Sequence, residues 1–338
     1  MNKLTAKDFK RGIRVVKSQL TDFDNYPVYQ NSLKPLGFYS KYNVKANTVF
    51  VICAGAAGDI GFSNKNFWAA DDCYYLETDK YVDSKFIYYY LLSIQNDIKR
   101  QVRQASVPRL GSNVLKSIIL PSVSDNKQQE IVKILDSFTN LIDALNEELS
   151  LRQKQFEYYR EKLLKFDEKP TSIFKFTKVL RGKRLTTKEL SDNAKYPVYH
   201  GGTEPIGYYN EYNRDANTVM VINVGASAGT IGFCNQAFWS SDGCYCLSHN
   251  HKIDNKFLYY SLLIREYKIK SQVRHAGIPT LDQKVIENIQ LFIPSLAIQQ
   301  SIVSKLDAFE SLISSLKEEI ALRQKQYEYY REKLLTFD

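Results

Sequence analysis

Nearly every segment of this 338-residue chain occurs twice. YPVY at 26–29 returns at 196–199, and NTVFVI at 47–52 returns as NTVMVI at 217–222. KFIYYYLL at 85–92 returns as KFLYYSLL at 256–263, and QVR at 101–103 returns at 272–274. The offset is 170 before a glycine-rich loop and 171 after it, so one residue is inserted there. The strongest match closes each copy: ELSLRQKQFEYYREKLLKFD (148–167) against EIALRQKQYEYYREKLLTFD (319–338), identical at 16 of 20 positions. A whole-chain duplication of this kind predicts two copies of one structural unit.

Each copy opens with a stretch rich in β-branched and aromatic residues, punctuated by Gly, Asn and Asp. Thr48–Cys53 and Thr218–Val224 read as strands. Lys85–Arg103 and Lys256–Arg274 each read as one amphipathic helix. The mixture predicts an α+β globule in each copy. The predicted domains are 1–124, 125–168, 169–295 and 296–338.

The closing part of each copy reads as one long helix. After Ile131 the apolar steps alternate four and three: Leu135, Phe138, Ile142, Leu145, Leu149, then Arg152 in a polar slot, Phe156, Tyr159, Leu163 and Phe166. The second copy runs Ile302, Leu306, Phe309, Ile313, Leu316, Ile320, Arg323, Tyr327, Tyr330, Leu334 and Phe337. Such spacing over five heptads predicts a coiled-coil seam. Asp125 and Gln128 are placed for a capping box, and Pro170 for a stop. Forty helical residues span about 60 Å. With a short linker at 167–172, the second helix is expected to return antiparallel to the first, giving a dumbbell with approximate twofold symmetry. Arg152 and Arg323 are expected to set register or contact a partner.

Composition adds a charge argument. The net charge is +9 and the pI near 9.0. It is divided unevenly: +7 on 1–124, −2 on 125–170, +5 on 171–295 and −1 on 296–338. Two basic globules and two neutral-to-acidic helices suit two phosphate contacts with a spacer. The hydrophobic fraction of 44% excludes a disordered chain. No run of about 18 apolar residues predicts a membrane span, and MNKLTAKDFKRG does not read as a leader. Five cysteines without framework spacing predict reduced thiols and a cytoplasmic setting.

Candidate DNA-binding residues follow from the basic clusters. In the first copy they are Lys10, Arg11, Arg14, Lys17, Arg103 and Arg109. In the second they are Lys178, Arg181, Lys183, Arg184, Lys188 and Arg274, with Thr280 in place of Arg109. Arg and Lys can bond guanine, and Asn and Gln adenine. That adds Asn64, Lys65 and Asn66, and Asn235 and Gln236, just beyond the IGF segments. The glycine loops Gly55–Gly61 and Gly225–Gly232 would allow close approach to phosphate.

Catalytic signatures are absent from the sequence. There is no GK[ST] phosphate loop, no adenine-methyltransferase Asn/Asp-Pro-Pro-aromatic motif and no metal motif beyond a lone Cys244-x-Cys246. All four histidines lie in the second copy. No catalytic residue and no metal site is expected in this chain.

The order of globule, long helix, globule, long helix resembles the specificity (S) subunit of Type I restriction–modification enzymes. The resemblance covers almost the whole chain. It is carried by GIPTL…IPSLAIQQSIVSKLDAF (277–309), by SVPRL…LPSVSDNKQQEIVKILDSF (106–138) and by the LRQKQ(F/Y)EYYREKLL tails. Copy one departs with Ser106 where copy two has Gly277. The resemblance implies that each globule is a target recognition domain reading one half of a bipartite, asymmetric DNA site. It implies that the helices bind two modification subunits, which would carry S-adenosylmethionine and methylate adenine N6. Restriction subunits using ATP and Mg would join for cleavage. This chain would then hold no cofactor itself. The best partner surface would be Tyr158, Arg160 and Glu161, with Tyr329, Arg331 and Glu332. Two other classes compete with this reading: a coiled-coil adaptor whose globules bind proteins, and a methyltransferase with an unfamiliar site.

Overall fold

The computed structural model describes residues 9–23, 25–78, 82–167 and 169–337. The expected boundary at residue 168 and most of the segment read for a leader lie outside them. The first copy forms β1 (Phe9–Arg11), β2 (Tyr26–Tyr29), β3 (Gly37–Tyr39), β4 (Thr48–Ile52), β5 (Ile60–Ser63), β6 (Trp68–Ala69) and β7 (Cys73–Leu76), then α1 (Ser84–Ser93), α2 (Gln95–Arg100), α3 (Ser112–Ser117) and the long α4 (Asp125–Leu163). The second forms β8 (Thr171–Ser172), β9 (Thr177–Arg181), β10 (Tyr196–Tyr199), β11 (Gly207–Tyr209), β12 (Thr218–Ile222), β13 (Ile231–Cys234), β14 (Trp239–Ser240) and β15 (Cys244–His249), then α5 (Asn255–Leu263), α6 (Glu266–Lys270), α7 (Gln283–Glu287), β16 (Gln290–Leu291) and the long α8 (Leu296–Leu335).

By internal contacts the chain divides into two compact units. Unit 1 is Met1–Glu147 with Glu318–Asp338, and unit 2 is Glu148–Lys317. In unit 1 an antiparallel sheet of order β1-β7-β4-β5 stands beside a smaller sheet, β3-β2-β6. Unit 2 repeats this as β9-β15-β12-β13 and β11-β10-β14, with β16-β8 added. The central strands β4 and β12 are buried on both faces, as their unbroken apolar runs require. One face of β4 packs on α1 and the first half of α4; Val49, Val51, Phe86, Ile87, Ile131 and Leu135 share that core.

The segments read as single helices are each two. The first bends at Ile94, and this turns α2 onto the β4–β5 hairpin. There Gln95 Nε2 donates to the Gly58 carbonyl at 3.0 Å, and Lys99 pairs with Asp59 at 2.7 Å. In the second copy Glu266 accepts the Ile231 amide at 3.1 Å. These contacts, rather than Gly or Pro, decide the break. The helix α4 also ends before Pro170, because Leu164 and Phe166 turn into the core of unit 2.

The seam residues are buried or half-buried throughout α4 and α8. The packing is antiparallel within each unit. In unit 1, α4 leaves the globule while α8 approaches it: Tyr330 stacks on Phe138 at 5.3 Å, and Phe337 meets Phe86 of α1. In unit 2, Tyr159 stacks on Phe309 at 5.4 Å. Arg152 and Arg323 turn along their own helices, to Glu148 and Gln155 and to Glu319 and Gln326.

Two buried glutamines tie each long helix to its globule. Gln128, expected in a capping box with Asp125, instead reaches across the core. Its Oε1 accepts the Asp83 amide at 2.9 Å and its Nε2 donates to Val123. Gln299 accepts the Asp254 amide at 2.7 Å and donates to the carbonyls of Pro294 and Lys252. Asp83 and Asp254 are the N-caps of α1 and α5, so one amide side chain fixes two helix starts. About two turns further along each long helix, Tyr89 donates to Asp136 and Tyr260 to Asp307, both at 2.5 Å. Burial and then these carboxylates push both phenols far above the usual tyrosine range. Replacing Gln299 with Leu strands three backbone groups, so unfolding in urea should show a loss of about 2–4 kcal/mol. A loss below about 1 kcal/mol contradicts this account of the junction.

Candidate nucleic-acid interface

The strand β9 ends on Arg181 and is followed by Gly182, which allows the backbone to lie directly against the carbonyls of Ser240 and Ser241. A methyl group on Gly182 would overlap the Ser241 oxygen, and one on Gly12 would overlap Ala70. This close approach, not a left-handed turn, is why glycine separates the arginines in Arg11-Gly12-Ile13-Arg14 and Arg181-Gly182-Lys183-Arg184. Trp239 Nε1 caps the crossing by donating to the Lys183 carbonyl at 2.7 Å, as Trp68 does to Ile13.

In unit 2 this crossing forms one wall of an open cleft of about 620 Å³. Arg181 and Arg184 line it with Arg274, whose side chain is 71% exposed and pairs with Asp282 at 3.6 Å. The Arg181 guanidinium also lies over the Tyr245 ring at 5.9 Å. The floor holds Asn223, and the rim holds His200 and Asp242. His200 Nδ1 lies 3.2 Å from both the Gly243 amide and the Asp242 carboxylate. Asn223 is 7% exposed; its Nδ2 donates to the Asp242 carbonyl at 3.3 Å and its Oδ1 has no protein partner.

The same backbone bonds build the corresponding place in unit 1. Cys53 N–H donates to Asp72 and Leu110 N–H donates to Cys53, matching Asn223 to Gly243 and Leu281 to Asn223. Arg103 and Arg109 exchange amide bonds just as Arg274 and Thr280 do. Arg11 Nε donates to the Asp71 carbonyl at 2.7 Å. The Cys53 thiol is pushed up to about 12 by burial, then by the Asp72 charge, against the pull of Arg11.

Not every sequence candidate joins these places. Lys10 is engaged with Glu77 at 2.5 Å, and Lys178 stands in the ladder of β9 opposite Ser248. Lys17, Lys183 and Lys188 are exposed beside the arginines. Asn64, Lys65, Asn235 and Gln236 are exposed in the turns after β5 and β13; the latter pair is not in the lining of the unit 2 cleft. Asn66 is a turn residue, accepting the Ala46 amide at 2.8 Å. The glycine loops are hairpin connectors whose amides are taken: Gly55 donates to Pro108 and Gly225 to Pro279. Sequence reasoning missed Asn223, His200 and Tyr245. Their only signal was adjacency to repeated motifs.

A second duplicated surface lies on the helix tails. Tyr158 and Tyr329 are each 58% exposed. Each stands edge-on to its neighbour, Tyr159 or Tyr330, at 78° and 79°. Lys162 lies over Tyr158 at 5.6 Å and Lys333 over Tyr329 at 5.8 Å. Arg160 covers Phe156 and Arg331 covers Tyr327, both at 5.3 Å. Glu161 and Glu332 are exposed next to them.

A protein of two duplicated α+β units, one with a basic cleft and the other with the same arginines at the equivalent positions, each with a share of two long helices, is the class these observations define. The family profile "Type I restriction modification DNA specificity domain" matches twice, over residues 7–151 and 171–322, and the chain belongs to that family. A Haemophilus influenzae protein assigned as a type I restriction enzyme specificity subunit is 31% identical over 356 residues, covering 95% of this chain and 91% of that one. A Mycoplasma genitalium protein assigned as a type I specificity subunit is 26% identical, covering 91% and 88%. The crystal structure of a Type-I restriction-modification S subunit from M. genitalium shares the fold, with a TM-score of 0.77 at 23% identity over 100% of this chain and 96% of that one.

The glycine crossing gives a direct test. Gly182→Ala should lower the melting temperature by an amount equivalent to about 1–3 kcal/mol. Gly111→Ala, where an added methyl meets nothing within 4 Å, should leave it unchanged. Equal melting temperatures would show that the crossing does not need glycine.

Proposed function

We propose that this chain is the DNA-reading and scaffolding subunit of a Type I restriction–modification complex. Each cleft reads one half of a two-part, asymmetric DNA target. The observation that carries this reading is the arginine frame of Arg181, Arg184 and Arg274 around the unit 2 cleft, with Arg11, Arg14 and Arg103 at the equivalent positions of unit 1. Guanidinium groups on a rigid backbone suit phosphate oxygens and base edges alike. The chain contributes recognition and holds no cofactor, and the chemistry belongs to its partners: S-adenosylmethionine for adenine methylation, ATP and Mg for cleavage. The setting is the cytoplasm. No helix among the described residues is long and apolar enough to cross a membrane.

Methylome sequencing of cells with the gene intact and deleted tests the function as a whole. A bipartite methyladenine motif should disappear on deletion. A motif set identical in both cells would refute the reading. In binding assays on the purified complex, Arg181→Ala with Arg274→Ala should weaken all duplexes alike. Each change should reduce the slope of log K against log salt by about 0.9. An unaltered slope would remove these arginines from the phosphate contact.

The tail surfaces are the docking sites for two copies of one modification subunit. An exposed tyrosine held edge-on and roofed by lysine is an aromatic anchor of the kind that dominates interfaces. The same arrangement occurs on both tails, which suits one partner bound twice. Tyr158→Glu with Tyr329→Glu should abolish co-purification of the modification subunit, and each single change should leave one copy bound by native mass spectrometry. Full assembly of the double variant would place the docking surface elsewhere.

A further inference from the structure

The cleft of unit 2 and the equivalent place in unit 1 share a frame and differ in their lining. Three arginine positions, a tyrosine (Tyr74 and Tyr245) and an aspartate (Asp71 and Asp242) are the same in both copies. Phosphates repeat along any duplex, so a contact common to both half-sites calls for common residues. Different bases call for different ones. We infer that the residues in which the two linings differ set the difference between the half-sites, three pairs foremost: Gln30 and His200, Cys53 and Asn223, Arg109 and Thr280, beside Asp72 and Gly243, Gly111 and Asp282, and Ser112 and Gln283. This rests on the reading of each cleft as a DNA contact.

The backbone pins these pairs to equivalent places, so a change of residue changes chemistry rather than position. Positions 53 and 223 donate and accept matching amide bonds, and positions 109 and 280 close matching bridges with 103 and 274. At the first position unit 1 offers a buried, neutral thiol, with little to give a base edge. Unit 2 offers the Asn223 carbonyl, buried and without a protein partner. One amide hydrogen of Asn223 goes to Asp242, which leaves one donor and the carbonyl unused. That acceptor–donor pair matches N6 and N7 of adenine. At the second position Arg109 is an exposed guanidinium that matches guanine O6 and N7, and Thr280 cannot replace it. The third pair exchanges a flexible amide for an imidazole held by Gly243. Unit 2 therefore reads an adenine through Asn223, and unit 1 reads a guanine through Arg109.

The test grafts three residues of the unit 2 lining into unit 1. The full-length chain and its triple variant, Gln30→His with Cys53→Asn and Arg109→Thr, are each used to select duplexes from a random pool. The natural chain should enrich two unlike half-sites. The variant should lose the guanine of the unit 1 half and gain an adenine there, while the other half stays unchanged. An enriched sequence identical to that of the natural chain overturns the inference. No enrichment by the natural chain overturns the DNA-reading function itself, a separate result. A measurement on the natural chain guards against a variant that fails to fold. Substituting 7-deazaadenine, in turn, for each adenine of the unit 2 half-site should weaken binding roughly 5- to 100-fold at one position. Unchanged affinity at every adenine overturns the role of Asn223.

Discussion

The main core of each unit is completed by both long helices, whose contributing segments lie far apart in the chain. Ile131 and Leu135 of α4 share a core with Tyr327 and Leu335 of α8, nearly two hundred residues further on. The core of unit 2 takes Leu164 from the far end of α4 together with Ile302 and Leu306 from the start of α8. A long helix with a continuous seam thus gives its two halves to two different cores. Unit 1 is assembled from two separate stretches of sequence, whereas unit 2 is one stretch closed by helix segments from its two ends. Contacts of such separation carry a large loop-closure cost, which the stacked rings Phe138–Tyr330 and Tyr159–Phe309 and the buried leucines must offset.

That division explains why the junctions between helix and globule carry so much polar chemistry. A helix packed only by an apolar stripe could slide or rotate by a step of the heptad. Gln128 and Gln299 forbid this, because each must meet a single amide, that of Asp83 or Asp254, from one depth in the core. The Tyr89–Asp136 and Tyr260–Asp307 bonds add a second fixed point about two turns along each long helix. Two directional bonds at different heights set both register and rotation, which apolar contacts alone leave soft. The sheets above these junctions inherit the alignment through α1 and α5, and the clefts inherit it from the sheets.

The helices were legible in the sequence because a 4–3 apolar period has few other physical meanings, and the duplication was legible from identity alone. The antiparallel pairing followed from chain length and a short linker. The break at Ile94 was not legible, since it comes from Gln95 and Lys99 meeting a hairpin forty residues earlier. Gln128 looked like a cap because capping patterns are local, and its true bond is to Asp83. The clefts were legible only in part. Arg11, Arg103 and their counterparts stood out by charge, whereas Asn223, His200 and Tyr245 come from separate strands and turns and share no spacing. Asn64 and Asn235 illustrate the converse. Each sits beside a repeated motif, and the turn that holds it carries it to an exposed position where only its local bonds speak for it.

A chain built from two copies of one unit can hold sameness and difference only in separate places. The tails show the first. Their tyrosine pairs agree within 1° in ring angle, and their cationic covers agree within 0.2 Å. The clefts show the second, with equivalent backbone bonds around unlike side chains at 30, 53 and 109 and their counterparts. The net charge of +9 reflects this partition: its surplus stands on the sheets that carry the arginine frames, while the helices, whose outer faces carry the matched tyrosines, are close to neutral. A nearly neutral aromatic surface favours a specific protein contact over a polyanion, and a basic cleft favours the reverse. The charge pattern therefore suits the basic cleft to a polyanion and the helix tails to a protein contact.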